Sequence, residues 1–277
     1  MKPKLIFKTA LFFLVVVLCG FSSKDGIPYI VNFSKRFVPV DKNLYADKYE
    51  LTLKDYQLFL KEKQEAGADC SLLIYDSTLW RTRLTYNEPM VDFYFRHPAF
   101  RDYPIICISH HAANEFCKWL TEKYDANPKK KYKKVVFRLP TESEFIKAAS
   151  SIYDPKSENY PWGSPYLLDC KNGQRCNYQR IREEYLNYND SAKMLEYEYF
   201  KFRDCLYTVA VNSYQPNPYG LYNMVGNVSE MIQEEGIAMG GDWCSTGYNV
   251  RITSKKNYAS SGSVTVGFRV YMEIIEF

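Results

Sequence analysis

Phe137-Arg138-Leu139-Pro140-Thr141-Glu142-Ser143-Glu144-Phe145 carries the clearest structural signal in this 277-residue chain. Thr141 stands as a helix cap and Glu144, three residues on, closes a capping box. Phe145, Ala148 and Ala149 then fall on one inward face. Upstream, Lys48-Tyr49-Glu50-Leu51-Thr52 reads as a strand that runs into a helix over residues 53–64. Thr52 and Asp55 resemble its capping box, and Tyr56, Phe59 and Leu60 form its apolar face. Ser109 caps a further helix with Ala113, Phe116, Cys117 and Leu120 at helical spacing, after the apolar, strand-like Ile105-Ile106-Cys107-Ile108. Beyond Ala149 regular structure thins out, with turns at Tyr160-Pro161-Trp162-Gly163 and Gln215-Pro216-Asn217-Pro218-Tyr219-Gly220. Short strands are expected at residues 207–211, 237–239 and 264–274. Residues 180–204 read as a charged, aromatic insertion, either helical or lying along the surface. The chain is loop-rich.

The N-terminus reads differently. Lys2, Lys4 and Lys8 precede the apolar run Ala10-Leu11-Phe12-Phe13-Leu14-Val15-Val16-Val17-Leu18, the layout of a secretory signal and too short to span a bilayer comfortably. Two endings fit: cleavage near Gly20-Phe21-Ser22, or acylation of Cys19 as a lipoprotein. The expected division is a signal peptide over residues 1–22, a tether over 23–45 and one domain over 46–277. With 36 basic and 32 acidic residues the net charge is +4, which supplies no overall field demanding nucleic acid or an acidic membrane surface. Lys129-Lys130-Lys131-Tyr132-Lys133-Lys134 reads as a solvated loop. Aromatic residues make up 17%, which suits a domain held by ring packing and excludes a disordered chain. Seven of the eight cysteines lie beyond Cys19. Cys170 and Cys176 flank a polar loop that a disulfide could close in an oxidising envelope, whereas Cys107 and Cys117 read as buried thiols.

Read in order, Tyr49-Glu50-Leu51-Thr52, Pro104-Ile105-Ile106-Cys107-Ile108-Ser109, the stretch around Arg138, Tyr160-Pro161-Trp162-Gly163 and Asn217-Pro218-Tyr219-Gly220-Leu221-Tyr222-Asn223-Met224-Val225-Gly226-Asn227-Val228 resemble the formylglycine-generating-enzyme (sulfatase-modifying-factor) family. Gly240-Gly241-Asp242-Trp243 and Gly267-Phe268-Arg269-Val270 complete the series. The resemblance implies an α+β domain related to the C-type-lectin-like fold, with few short helices and strands. Within the family, Phe95-Arg96-His97-Pro98-Ala99-Phe100-Arg101-Asp102-Tyr103-Pro104 and Gly226-Asn227-Val228-Ser229-Glu230-Met231 look most like envelope lipoproteins of gliding motility and type IX secretion in Bacteroidetes.

Active members of the family oxidise a cysteine to formylglycine with O2 and a copper(I) ion held by two thiolates, soft ligands that suit that metal. The resemblance places Cys244 as the first thiolate and therefore as the catalytic cysteine of an enzyme reading. The position five residues on, where the partner belongs, is Asn249. The family's calcium loop carries over residue by residue onto Asn223, Gly226, Val228 and Glu230, whose side chains and backbone carbonyls would supply hard oxygen ligands. Asn177-Tyr178 resembles the start of a second such site. His97, His110 and His111 are the only histidines; the pair at 110–111 reads as exposed or capping. Arg138, Glu142, Trp162, Arg251 and Arg269 are expected to be structural anchors. The reading these features favour is a non-catalytic, envelope-anchored interaction or scaffold module whose partners are envelope or secretion-machinery proteins. An oxidase acting on exported sulfatases is the alternative, and glycan binding a third.

Overall fold

Thr141 caps its helix as expected: its hydroxyl accepts from the Glu144 backbone N–H, and the Glu144 carboxylate accepts in return from the Thr141 backbone N–H at 2.8 Å. The computed structural model describes residues 33–81, 87–167, 174–179, 185–189, 194–198 and 207–277. The signal segment, Cys19, Cys170 and Cys205 lie outside them.

Helix α1 spans Leu53–Glu65 with Thr52 as its cap, α2 spans Glu88–Arg96, α3 spans His110–Asp125 with Ser109 as its cap, and α4 spans Glu142–Ser150. The strands are β1 Phe37–Pro39, β2 Leu44–Asp47, β3 Lys134–Arg138, β4 Tyr185–Asn189, β5 Met194–Glu198, β6 Ser229–Met231, β7 Ile237–Met239, β8 Lys255–Asn257, β9 Val266–Gly267 and β10 Tyr271–Glu276. One antiparallel sheet runs β1-β2-β10-β3, with Tyr271 opposite both Ala46 and Arg138. A second runs β8-β7-β6-β9, its β6–β9 pair parallel through Ser229 and Val266. Strands β4 and β5 pair as a hairpin.

Aromatic rings fill the space between α1, α3 and the first sheet. Phe59 meets Phe116 at 5.4 Å, and Phe116 meets Phe268 at 5.8 Å, both edge to face. Such pairs add specificity to the area they bury. A second cluster packs Phe145, Ala148 and Ala149 of α4 against Met224, Val225, Met239 and Tyr271.

Several expectations are corrected. The first strand of the domain is not residues 48–52 but β1 with β2, which reach into the expected tether. Phe37 is buried in the main core and Leu44 in the second, so residues 37–45 belong to the domain. Residues 105–108 are buried but irregular, with Cys107 in the left-handed region at φ 60. Their backbone is paired singly, Ile105 N–H to Leu51 O and Cys107 N–H to Ser263 O. Residues 207–211 form no strand. The expected strand over 264–274 is broken into β9 and β10, because Phe268, Arg269 and Val270 turn across the core instead of pairing along one sheet. The described part of the 180–204 insertion is the β4–β5 hairpin, not a helix.

Arg138 joins three elements: two nitrogens grip Glu144 of α4 at 2.7 Å each, and Nε donates to Glu273 of β10 at 2.8 Å. Because the capping box holds Glu144 in place for that grip, Thr141→Ala is expected to cost about 1 kcal/mol. Urea denaturation of the two proteins checks this; an unchanged midpoint would show that the cap does not contribute.

Candidate functional site

Glu50 follows β2 and is fully buried. Its Oε2 accepts from Asn223 Nδ2 at 2.9 Å and Asn227 Nδ2 at 2.8 Å, and its Oε1 accepts from the Val228 N–H at 3.3 Å. A buried carboxylate without such donors would be prohibitively costly. Both asparagines hold left-handed backbones, φ 51 and φ 61. Asparagine is among the few residues besides glycine that tolerate this conformation. Gly226 between them is required for a second reason: at φ 75, a Cβ would lie 2.5 Å from the Asn177 carbonyl oxygen.

The same amides hold down residues 207–211. Asn177 Nδ2 donates to Tyr207 O at 3.1 Å, Asn227 pairs with Val209 through both its amide oxygen and nitrogen, and Asn223 Nδ2 donates to Val211 O at 3.1 Å. Three side chains thus replace the ladder that a neighbouring strand would have provided, which is why this segment stays irregular yet ordered.

Beside this lies the ion pair of Glu230 and Arg269, both buried. Arg269 Nε donates to both carboxylate oxygens at 3.1 Å, and Nη2 to Oε1 at 2.7 Å. The guanidinium also reaches the Asp47 and Tyr222 carbonyls. Asp47 is buried too and takes Arg36 Nε at 2.7 Å, while Arg36 Nη2 reaches Asp55 at 2.9 Å. Arg269 and Arg138 are anchors, as expected.

Burial pushes the Glu50 carboxyl up to about 8, reinforced by the charge of Glu230; Asn223, Arg269 and Asn227 oppose the shift. Burial also raises Glu230 and Asp47, against their arginines. No ion pair compensates Glu50 among the described residues.

The structure brings Asn223, Gly226, Val228 and Glu230 together on one loop that enters β6. The Asn223 amide oxygen is buried and meets no hydrogen-bond donor, as is the Asn177 amide oxygen. An orphaned oxygen of this kind suits a hard cation. Glu230 fits less simply, since Arg269 already engages both its oxygens. Among the described residues no three His, Cys, Asp or Glu side chains gather as a metal site, so a cation here would rely mainly on amide and carbonyl oxygens, with Glu230 as the one carboxylate.

Cys244 lies on the next turn, 14 residues beyond Glu230, half-buried, its N–H donating to Asp242 Oδ1 at 2.9 Å. Asp242 is buried and ties the turn to β6 and β8, taking Ser229 Oγ at 3.1 Å and Lys256 Nζ at 2.6 Å. Gly241, at φ 72, leaves no room for a Cβ, which would sit 2.3 Å from the Asn249 carbonyl oxygen. Asn249 itself is exposed, on the short turn Gly247–Asn249. An amide is a poor ligand for copper(I), so the two-thiolate site is not reproduced at these positions. Trp243 stacks on the buried Trp80 at 6.2 Å.

His110 is buried rather than exposed. Its Nε2 lies 2.9 Å from Ile232 O and its Nδ1 3.2 Å from Asn114 Nδ2, because the first turn of α3 packs beneath the end of β6. Asn227 heads a glycosylation-type triplet with Ser229, but its amide is buried and fully engaged. The sequence marks Asn227 only as the head of that triplet and gives Glu50 no role of its own. The available signal was a charged residue between Tyr49 and Leu51 in an otherwise apolar stretch.

An acid whose folded pKa is raised stabilises the fold least when ionised. Stability from Glu50 is therefore full below about 4.5, falls as pH rises toward about 8, and is level above that. Glu230 and Asp47 act in the same direction. The slope attributable to Glu50 is at most about 1.4 kcal/mol per pH unit. Urea melts at intervals from pH 5 to 8 are expected to show this decline, and Glu50→Gln to flatten it; an equal slope in the variant would refute the assignment.

Three comparisons bear on this architecture. The family described as "Sulfatase-modifying factor enzyme 1-like domain" matches residues 20–274. A relative from Bos taurus, "Inactive C-alpha-formylglycine-generating enzyme 2", is 24% identical over 260 residues, covering 80% of this chain and 75% of that protein. Its Mus musculus counterpart is 25% identical over 259 residues, covering 80% and 73%. Among solved structures, PvdO from Pseudomonas aeruginosa superposes with a TM-score of 0.51 at 17% identity, over 83% of this chain and 80% of that one. CarF superposes with a TM-score of 0.51 at 18% identity, over 83% and 86%. At such identities the superpositions speak for the fold alone, which they agree is the α+β fold expected from the motifs. With a match across nearly its whole length, the chain belongs to the sulfatase-modifying-factor, or formylglycine-generating-enzyme-like, family.

Proposed function

We propose that this protein is a non-catalytic member of the family, exported to the cell envelope, where it acts as an interaction or scaffold module in secretion- or gliding-type machinery. The observation that carries the non-catalytic reading is Asn249. It stands exposed at the position the resemblance assigns to the family's second thiolate. That the curated relatives are themselves named inactive supports the same reading. The export and envelope parts rest on the N-terminal signal-like segment and on the motif resemblance to gliding and type IX secretion lipoproteins.

Calcium belongs to this proposal as a structural ion. Asn223 and Glu230 would offer side-chain oxygens and Gly226 and Val228 backbone carbonyls, and the unmet Asn223 oxygen is the feature that favours it. A divalent cation there would also offset the uncompensated charge of Glu50. Its stabilising effect should accordingly be larger at pH 8 than at pH 5.

Two experiments test these claims. The purified protein loaded with copper(I) is expected to retain no stoichiometric metal and to form no aldehyde on a sulfatase-derived cysteine peptide under O2. Aldehyde formation would overturn the scaffold reading. Millimolar calcium is expected to raise the melting temperature, and Asn223→Ala to abolish the rise; a melting temperature indifferent to calcium would remove the ion from the proposal.

A further inference from the structure

We propose that the edge formed by the α3–β3 loop and the end of β10 is a docking surface for an anionic lipid bilayer. Five lysines fall within six residues, Lys129, Lys130, Lys131, Lys133 and Lys134, and all but Lys130 are exposed. Next to them, Ile275 is 51% and Phe277 64% exposed. The two sets are joined physically. Phe277 meets the Tyr132 ring edge to face at 5.8 Å, Lys133 Nζ lies 3.2 Å from Glu276, and β10 pairs with β3 from Arg138 down to Lys134.

Charge decides the occupant. Lys130 and Lys133 are offset by Asp125 and Glu276 at 3.4 and 3.2 Å. Lys129, Lys131 and Lys134 have no carboxylate within ion-pair distance among the described residues. Lys131 Nζ instead sits 4.9 Å over the Tyr132 ring. Three uncompensated ammonium groups on flexible stems, beside two bulky apolar side chains, match a surface that presents phosphate headgroups above hydrocarbon. The lysines gain from the headgroup potential while Ile275 and Phe277 bury below it. A partner protein would have to supply carboxylates to three lysines and an apolar cover to the two neighbouring side chains at once, which an anionic bilayer does by its layering alone. The edge lies apart from the Cys244 turn, so its role does not depend on whether the protein is catalytic.

The chain lacking residues 1–22, a deletion that removes no described residue, is the material for the test. It is sedimented with vesicles of phosphatidylcholine alone and of three parts phosphatidylcholine to one part phosphatidylglycerol. The expected result is at least about tenfold tighter association with the anionic vesicles, weakening as salt is raised. Lys129→Gln with Lys131→Gln and Lys134→Gln should bring binding down to the neutral-vesicle level. Ile275→Ser with Phe277→Ser, on the other strand, should weaken it while leaving the salt dependence. Equal binding to both vesicle types, or indifference to both variants, would overturn the proposal. So would equally tight binding to heparin that the Ile275 and Phe277 changes leave untouched, since that would mark a general polyanion site.

Discussion

The Glu50 carboxylate, buried and held by two asparagine amides and a backbone N–H, is the constraint on which the irregular half of the molecule depends. Placing a carboxyl group in the core obliges the chain to bring hydrogen-bonding partners to it. Here those donors are Asn223 and Asn227, far along the sequence and both in left-handed backbone. The same amides then fasten residues 207–211. One buried carboxyl group therefore ties together the start of α1, the segment before β6 and residues 207–211. A helix or strand is held by its own ladder; these loops are held by side chains that act in its place.

The Glu230–Arg269 pair extends the arrangement. Arg269 spans from β6 to the carbonyls of Asp47 and Tyr222, connecting the two sheets at the point where the chain passes between them as Phe268, Arg269 and Val270. Breaking such a pair leaves a charge stranded in the core, which is far more damaging than replacing both partners together. The rings of Phe59, Phe116 and Phe268 close the space on the other side. Polar network and aromatic packing divide the work of stabilisation according to how regular each half of the chain is.

On the proposed non-catalytic reading, this construction accounts for a family scaffold that stands without its copper chemistry. The Cys244 turn is positioned by Asp242, Gly241 and the Trp243–Trp80 stack, none of which needs a second thiolate. Asn249 sits in solvent and is free to be an amide without disturbing that scaffold. Fold and activity are separable because the groups that shape the turn are not those that would bind copper. The unmet Asn223 oxygen, by contrast, is within the network itself, so a cation there would serve structure before anything else.

Much was legible in advance. The helices opening at Thr52, Ser109 and Thr141 were, because a cap and an apolar face are local and repeat within a few residues. So were the family motifs and the Asn249 substitution, which depend on order and spacing alone. The α2 helix left local signs, Pro89 in its first turn and Tyr94 and Phe95 on its buried side, whereas β1 and β2 are three and four residues long and leave little local trace. Residues 105–108 and 207–211 looked like strands from their apolar character. Yet their backbone partners come singly from distant residues, and no pattern in the segments themselves reveals this. The sequence by itself determined the family, the three capped helices and the residue types at the positions that the resemblance assigns to copper and calcium. Only the tertiary structure decided that Glu50 and Glu230 share one buried site, that Arg269 neutralises one and not the other, and that His110 is enclosed. The Glu50 contacts join segments more than a hundred residues apart and the Glu230–Arg269 pair segments 39 apart, and local propensity carries no record of either.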